Sequence, residues 1–389
     1  MLFDLEDGLR ARGHEVGIFA CEHPDNRPSH FAAHFLPQRD YDRPGPVDKV
    51  RHAIGTVYDL GARRRFARLL DDFAPEVVHL HNVYHQISPS VLDELRRRRL
   101  PTVLTLHDYK LVCPVYRLFR DGELCTKCVG TEWPLWCGVH TCSRGSRAES
   151  WLLAIESTVH RLRRTYERAV TAYVSPSEFL ASMVQRQGIA RRRLHVIRNA
   201  PRHRPEVADA GARAPRPTVL FAGRLSPEKG ASVLVEAARR VPQVEVRLAG
   251  TGPDEAALKE SARNLPNVHW LGHLDLPRLE EERARAWAVA VPSVWYENAP
   301  LSVIEAFCAA RPVLAADHGG LVEMVQDGVS GWRLPPGDVD AWTSAFERLP
   351  GATSELMLMG MRARAVADRD HDHERFLDEH EALYARIQP

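Results

Sequence analysis

Short runs of apolar, largely β-branched residues recur along the chain, separated by stretches in which apolar positions return every three or four residues. In the first half the runs cover residues 16–20, 77–80, 102–106 and 172–174. In the second half they cover 218–222, 244–249, 268–271, 288–291 and 312–315. Continuous apolar runs alternating with amphipathic helical patterns predict α/β domains with parallel strands and crossover helices. A chain of 389 residues is too long for one ordinary core, so two domains are expected. Residues 199–217 are rich in Pro, Arg and Ala, lack any apolar period and read as a linker. The division expected is therefore 1–198 for a first domain and 218–365 for a second. A last helix in 366–389 should pack back on the first domain. Ligands of such sheets bind beyond the carboxyl ends of the strands, which puts the site in the cleft between two facing domains.

Chemistry concentrates at those strand ends. After the run 218–222 come Gly223, Arg224, Leu225, Ser226, Pro227, Glu228, Lys229 and Gly230, then a helical pattern through Val233, Leu234 and Ala237. A glycine turn lets the backbone approach an anion, the helix start adds partial positive charge, and Arg224 with Lys229 can neutralise a diphosphate. A glycine turn with merely solvated cations would carry the same residues. After the run 288–291 come Trp295, Tyr296, Glu297, Asn298, Ala299, Pro300, Leu301, Ser302, Val303, Ile304 and Glu305. Pro300 suits a helix start, whose N–H groups would face the cleft. Glu305 sits among Ile304, Ala306 and Phe307, where a carboxylate requires hydroxyls or a cation as partners.

In the order Gly-Arg, Lys-Gly, Glu-x7-Glu, then Gly319, Gly320 and Glu323, then Asp-Gly-x-x-Gly-Trp over 327–332, the second half resembles the retaining glycosyltransferases of family four, which have the GT-B fold. The resemblance implies that Arg224 and Lys229 hold the diphosphate of a nucleoside-diphosphate sugar and that Glu297 touches the transferred sugar. Glu305 would accept from the ribose, and Gly223, Asn298, Ala299, Pro300 and Leu301 would line the donor site. The loop of Gly319 and Gly320 would offer N–H groups to phosphate or sugar; Val322 stands where the family usually has proline. Gly250, Gly252 and residues 273–275 would lie near the base. In the first half His107 matches the family histidine that reaches the donor sugar, whereas His79 and His81 read as paired groups behind it. The segments HLHNVYHQISPS and LTLHDYKLVCP are similar to a branch common in bacterial surface-polysaccharide biosynthesis. The implied reaction breaks the bond from sugar C1 to phosphate, retains configuration and uses positive charge on the leaving diphosphate without a catalytic metal. The acceptor would be a hydroxyl of a glycan or lipid-linked molecule. A catalytically silent partner subunit and a nucleotide-sugar epimerase on the same fold are the alternatives.

Five of the seven cysteines fall within the stretch 113–142: Cys113, Cys125, Cys128, Cys137 and Cys142. Cys125, Cys128, Cys137 and Cys142 have spacings suited to a structural zinc, with Cys113 or His140 able to substitute. Buried reduced thiols and a redox Cys-x-x-Cys are the other readings.

Net charge is +1, yet residues 1–200 carry 30 Lys and Arg against 23 Asp and Glu, and the rest carry 22 against 28. A basic first half suits peripheral contact with anionic lipid, although 47 of the 52 basic residues are Arg, which solvation alone also explains. Nothing points to nucleic acid, and no Ser-His-Asp set, paired-carboxylate site or zincin helix argues for hydrolysis. Lacking a signal or a long apolar span, the chain reads as cytoplasmic, with membrane association through that basic half. Leu2, Leu5 and Leu9 recur at helical spacing before Gly13 and the run 16–20, so Met1 enters a helix already under way. Family members place a strand and a glycine-rich loop before such a helix, and roughly 15 to 30 upstream residues are expected from usual element lengths.

Overall fold

The structure, a computed structural model, describes residues 2–38, 53–143, 145–203 and 213–388. Two parallel sheets carry it. The first has four strands in the order β1-β2-β5-β6: β1 Val78–His81, β2 Thr102–Thr105, β5 Ala172–Ser175 and β6 Leu194–Val196. Between β2 and β5 the strands among the described residues are a two-residue ladder, β3 Phe119–Arg120 against β4 Glu123–Leu124 within the cysteine-rich stretch, and helices Trp136–Val139, Arg147–Leu162 and Thr165–Ala169 follow it. The second sheet has six strands, β7 Thr218–Ala222, β8 Glu245–Ala249, β9 Val268–Gly272, β10 Ala288–Val291, β11 Val313–Ala316 and β12 Gly331–Leu334. Their order is β12-β11-β10-β7-β8-β9. The chain starts at the centre, builds one side, then crosses to the other, so the sheet reverses direction between β7 and β10. That reversal is the topological switch point, where the loops after two adjacent strands diverge and leave a crevice.

Burial follows from parallel topology, because crossover helices cover both faces. Val289, Leu314 and Val219 are at most 1% exposed, and the central strands β2, β5, β10 and β11 are buried throughout. The stretch 16–20, expected as a strand, is not one. Its neighbourhood makes only an isolated bridge, Cys21 with Leu36. A β-branched run becomes a strand only with a ladder partner, and among the described residues the backbone bond reaching it from another segment is the single one from Leu36 N–H to Ala20 O.

Helix Leu2–Ala11 ends before Gly13, whose φ is +91°. Its buried Leu5 and Leu9 meet Phe376, Leu377 and Leu383 of the last helix, His373–Ile387, over Val103, Ala172 and Val174 of the first sheet. Both ends of the described chain therefore cover one face of one sheet. The position 365/366 falls inside an unbroken helix, Thr353–Asp370, and the chain turns at His371 instead. Of the expected linker, residues 204–212 lie outside the described residues; Ala214 beyond them is tied to Arg285 and to the Trp287 indole. Among the described residues no helix is long and apolar enough to cross a membrane.

Candidate active site

Loops from β7 and β10 meet at the switch point. After β7 the chain makes a glycine turn and one 3-10 turn, Pro227–Lys229, before helix Ala231–Arg240. The turn is laced to the loop after β8: Gly223 N–H donates to Ala249 O (2.9 Å) and Leu225 N–H to Thr251 O (2.9 Å). Gly250 has φ +134°, and a Cβ there would lie 1.9 Å from Gly223 O, so only glycine allows the two loops to touch. Its N–H donates to Gly272 O, and Asp275, three residues on, caps helix Leu276–Arg285.

Arg224 is exposed on this turn. Lys229 Nζ lies 2.8 Å from Glu297 Oε1 and 5.0 Å from the centre of the Trp295 ring. The Ser293 hydroxyl donates to the same carboxylate oxygen at 2.5 Å. Glu297 is buried, and these two donors offset the cost of taking its charge out of water. Four residues later helix Leu301–Cys308 begins, its first N–H groups lacking intrahelical acceptors. Glu305 on this helix is held by Arg283, Nη2 to Oε2 2.5 Å, and Arg283 itself is buried. Burial pushes the Glu305 carboxyl above its ordinary range, and the Arg283 charge opposes that only in part.

From the first domain, His107 follows β2 and stands exposed, its Nε2 2.8 Å from Nδ1 of His81. Behind it His79 bridges the Tyr384 hydroxyl (2.6 Å) and the Thr105 hydroxyl (2.7 Å). Burial, then the charge of neighbouring imidazoles, lowers His81 to about 3. Although part of the side chain reaches solvent, desolvation of the ring against the strand ends also lowers His107. These imidazoles are neutral at neutral pH.

The domains touch through polar contacts that sequence reasoning missed. The Ser177 hydroxyl donates to Asn298 Oδ1 at 2.6 Å, and Asn298 Nδ2 approaches Leu106 O at 3.4 Å. Glu323 accepts from the N–H groups of Glu178 and Phe179 at 2.9 and 2.8 Å, so a carboxylate of the second domain caps helix Glu178–Arg186 of the first. Ser177 before an amphipathic stretch is a legible N-cap. That Asn298 meets this serine and Glu323 the first N–H groups of the helix has no local signal.

Two expectations change. The loop of Gly319 and Gly320 does not have all its N–H groups available: Gly320 N–H donates to Glu297 O at 2.7 Å, and a Cβ on Gly320 would sit 1.7 Å from Asn298 O. The glycines let that loop lie against the backbone of Glu297 and Asn298. The zinc site is not assembled either. Cys113, Cys125, Cys128, Cys137 and Cys142 line one pocket with His140, all as free thiols. Among the described residues, however, no group of three or more His, Cys, Asp or Glu is placed to hold a metal. The Cys128 thiol instead donates to Pro134 O at 3.7 Å.

Known proteins resemble this arrangement. The family model "Glycosyltransferase Family 4" matches residues 1–200, and "Glycosyl transferases group 1" matches 216–350. A D-inositol 3-phosphate glycosyltransferase of Nocardia farcinica is 35% identical over 215 residues, 49% of this chain and 47% of that protein. An alpha-maltose-1-phosphate synthase of Mycolicibacterium smegmatis is 34% identical over 190 residues, 45% of this chain and 48% of that one. The chain thus spans about half the length of the curated relatives it matches. Among solved structures, sucrose-phosphate synthase of Thermosynechococcus elongatus shares the fold with TM-score 0.72 at 20% identity, over 99% of this chain and 92% of that one. Anabaena HepE in complex with UDP does so with TM-score 0.61 at 18% identity, over 83% and 82%. With one family model spanning half of the chain and a second covering most of the remainder, the chain belongs to glycosyltransferase family 4, and its two Rossmann-like domains form a GT-B fold.

Proposed function

We propose that the chain is a retaining glycosyltransferase, transferring a hexose-type sugar from a nucleoside diphosphate to a hydroxyl of a glycan or lipid-linked acceptor, in the cytoplasm and in peripheral contact with a membrane. The carrying observation is the convergence at the switch point of Lys229, Glu297 and the start of helix Leu301–Cys308, with Arg224 exposed beside them. Cations and helix N–H groups there suit a leaving diphosphate, whose charge grows as the C1–O bond breaks. Glu297 offers an acceptor to sugar hydroxyls, and Glu305, steadied by Arg283, offers one to the ribose. The acceptor hydroxyl attacks C1 from the face that the diphosphate leaves and passes its proton to the departing phosphate oxygen, so configuration is retained. Arg224 and Lys229 supply the charge that a metal supplies in other transferases. The neighbour HepE is described in complexes with UDP and with UDP-glucose, which makes a uridine donor the first to try.

The experiment is a panel of nucleotide sugars assayed for release of nucleoside diphosphate, with and without membrane extract as acceptor source. Acceptor-dependent release with one donor is expected, and the anomeric configuration of the product is read by NMR. Release from no donor in any combination would overturn the reading in favour of a silent partner subunit, and interconversion of donors without release would favour an epimerase.

A further inference from the structure

Helix Arg147–Leu162 has two faces with opposite surroundings. Glu156, Leu153, Ala154 and His160 are buried. The opposite stripe carries Trp151, Ile155 and Leu162, which are 41, 51 and 46% exposed. At spacings of four and seven residues these lie in one line along the helix. The short helix Trp136–Val139 rests on the same surface: a Cβ on Gly138 would meet the Trp151 ring at 2.4 Å. Around that contact Trp133 and Trp136 also stand outward, 55 and 47% exposed. Three of the eight tryptophans thus share one surface, whereas the other five are buried or half-buried. Single exposed apolar residues need no explanation, but a contiguous aromatic patch does.

Cations flank the patch and outnumber its exposed acid, Glu132 beside Trp133. Lys127 Nζ lies 5.3 Å from the centre of the Trp136 ring. At the helix ends Arg147, Arg164 and Arg168 are exposed, and no ion pair involves them among the described residues. Indole rings with an apolar body and a polar N–H favour the boundary between headgroups and acyl chains, and flanking Arg and Lys favour anionic headgroups.

The helix also links the patch to the cleft. On its buried side Glu156 pairs with Lys110, three residues after His107. The patch is separated from that loop by one helix, about 10 Å across.

We propose that Trp133, Trp136, Trp151 and Ile155, with the flanking cations, form the surface by which the protein docks on an anionic lipid bilayer. The proposal rests on the peripheral contact in the functional reading above and names where it occurs. It brings the cleft to the depth at which a lipid-linked acceptor presents its polar end.

The test is co-sedimentation of the full chain with vesicles of phosphatidylcholine, alone or mixed with phosphatidylglycerol. Binding to the mixed vesicles is expected, weakening with salt. Trp136→Ser with Ile155→Ser should reduce it on the order of tenfold or more, and Arg164→Gln with Arg168→Gln should remove the preference for anionic lipid. All variants should keep the wild-type circular dichroism and bind nucleoside diphosphate unchanged, which separates failure of docking from failure of the donor site. Absence of vesicle binding, or binding indifferent to both pairs of substitutions, would overturn the proposal. So would a dimer in light scattering that the Trp136 and Ile155 substitutions dissociate, since the patch would then be covered by a second copy.

Discussion

Arg283 Nη2 lies 2.5 Å from Glu305 Oε2, and the arginine is 2% exposed. The second glutamate of the Glu-x7-Glu pair is therefore anchored from a helix 22 residues earlier, and its orientation is fixed before any ligand arrives. If Glu305 accepts from ribose hydroxyls, Glu305→Ala should weaken nucleoside-diphosphate binding roughly 10- to 100-fold, the size of a hydrogen bond to a charged group. Turnover at saturating donor should change far less, because the contact is remote from the breaking bond. Because burial raises the Glu305 carboxyl, affinity should fall with decreasing pH sooner than an ordinary carboxylate would give. Isothermal titration across pH, with Glu305→Gln as the pH-insensitive control, reads both effects; an unchanged Kd for Glu305→Ala would remove the ribose role.

Lys229 and Arg224 are predicted to act on the departing diphosphate. Lys229→Ala or Arg224→Ala should lower kcat by about 10²-fold or more, the loss from one oxyanion-type donor. Lys229→Ala also removes one of the two side-chain donors that the Glu297 carboxylate has among the described residues, leaving the Ser293 hydroxyl, so this variant should lose a little stability as well. Full turnover at saturating donor in either variant would show that the charge of the leaving group is handled elsewhere.

Much of this site was legible because it follows regular strands. The runs 218–222 and 288–291 coincide with β7 and β10, since each is a continuous apolar segment ended by a glycine or proline. β6 has no sequence signal because Leu-His-Val is three residues long and follows three arginines, and β12 has none because Gly-Trp-Arg-Leu starts on glycine and is too short to show a period. The run 16–20 was misread for the converse reason: its composition suits a strand, but pairing is a property of neighbours and not of the segment. Arg283 had the same kind of invisibility. In Glu-Glu-Glu-Arg-Ala-Arg it resembles any charged helix face, and only the fold turns it inward onto Glu305.

Lys110 and Glu156 form a second buried pair, 2.7 Å apart and 3 and 2% exposed, joining the loop after β2 to helix Arg147–Leu162. Burial raises the Glu156 carboxyl, but the charges of Lys110 and His160 outweigh it and hold the group below its ordinary range. Removing one partner leaves a buried charge, so Glu156→Ala should cost about 3 to 5 kcal/mol in urea unfolding. Replacing both by apolar groups, Lys110→Met with Glu156→Leu, should recover most of that loss. A double variant as unstable as the single one would mean that the hydrogen bonds to Pro114 O and Ser157, and not the charge, matter most.

The last prediction concerns acid. His79, His81 and His380 lie together against Tyr384, with ring centres of His79 4.3 Å from His81 and 5.6 Å from His380. His380 is 2% exposed, donates Nδ1–H to Phe376 O and is lowered by burial to about 4; His81 is lowered to about 3 and His79 well below its ordinary value, burial leading in each. An imidazole with a depressed pKa in the fold contributes stability that is present above the unfolded value near 6.5 and is lost as pH falls toward the folded value, because the unfolded chain takes the proton first. For His380 alone this window runs from about 6.5 down to about 4. Each such histidine contributes a slope of about 1.4 kcal/mol per pH unit there. The cluster joins the last helix to the first sheet, so acid should release that helix before the second domain is affected. His380→Leu should therefore flatten the stability-pH profile between 6 and 4.5 by about one proton, measured by urea unfolding at several pH values. A wild-type profile that is flat through that window would show that these imidazoles titrate normally and that the helix is not held by their neutrality.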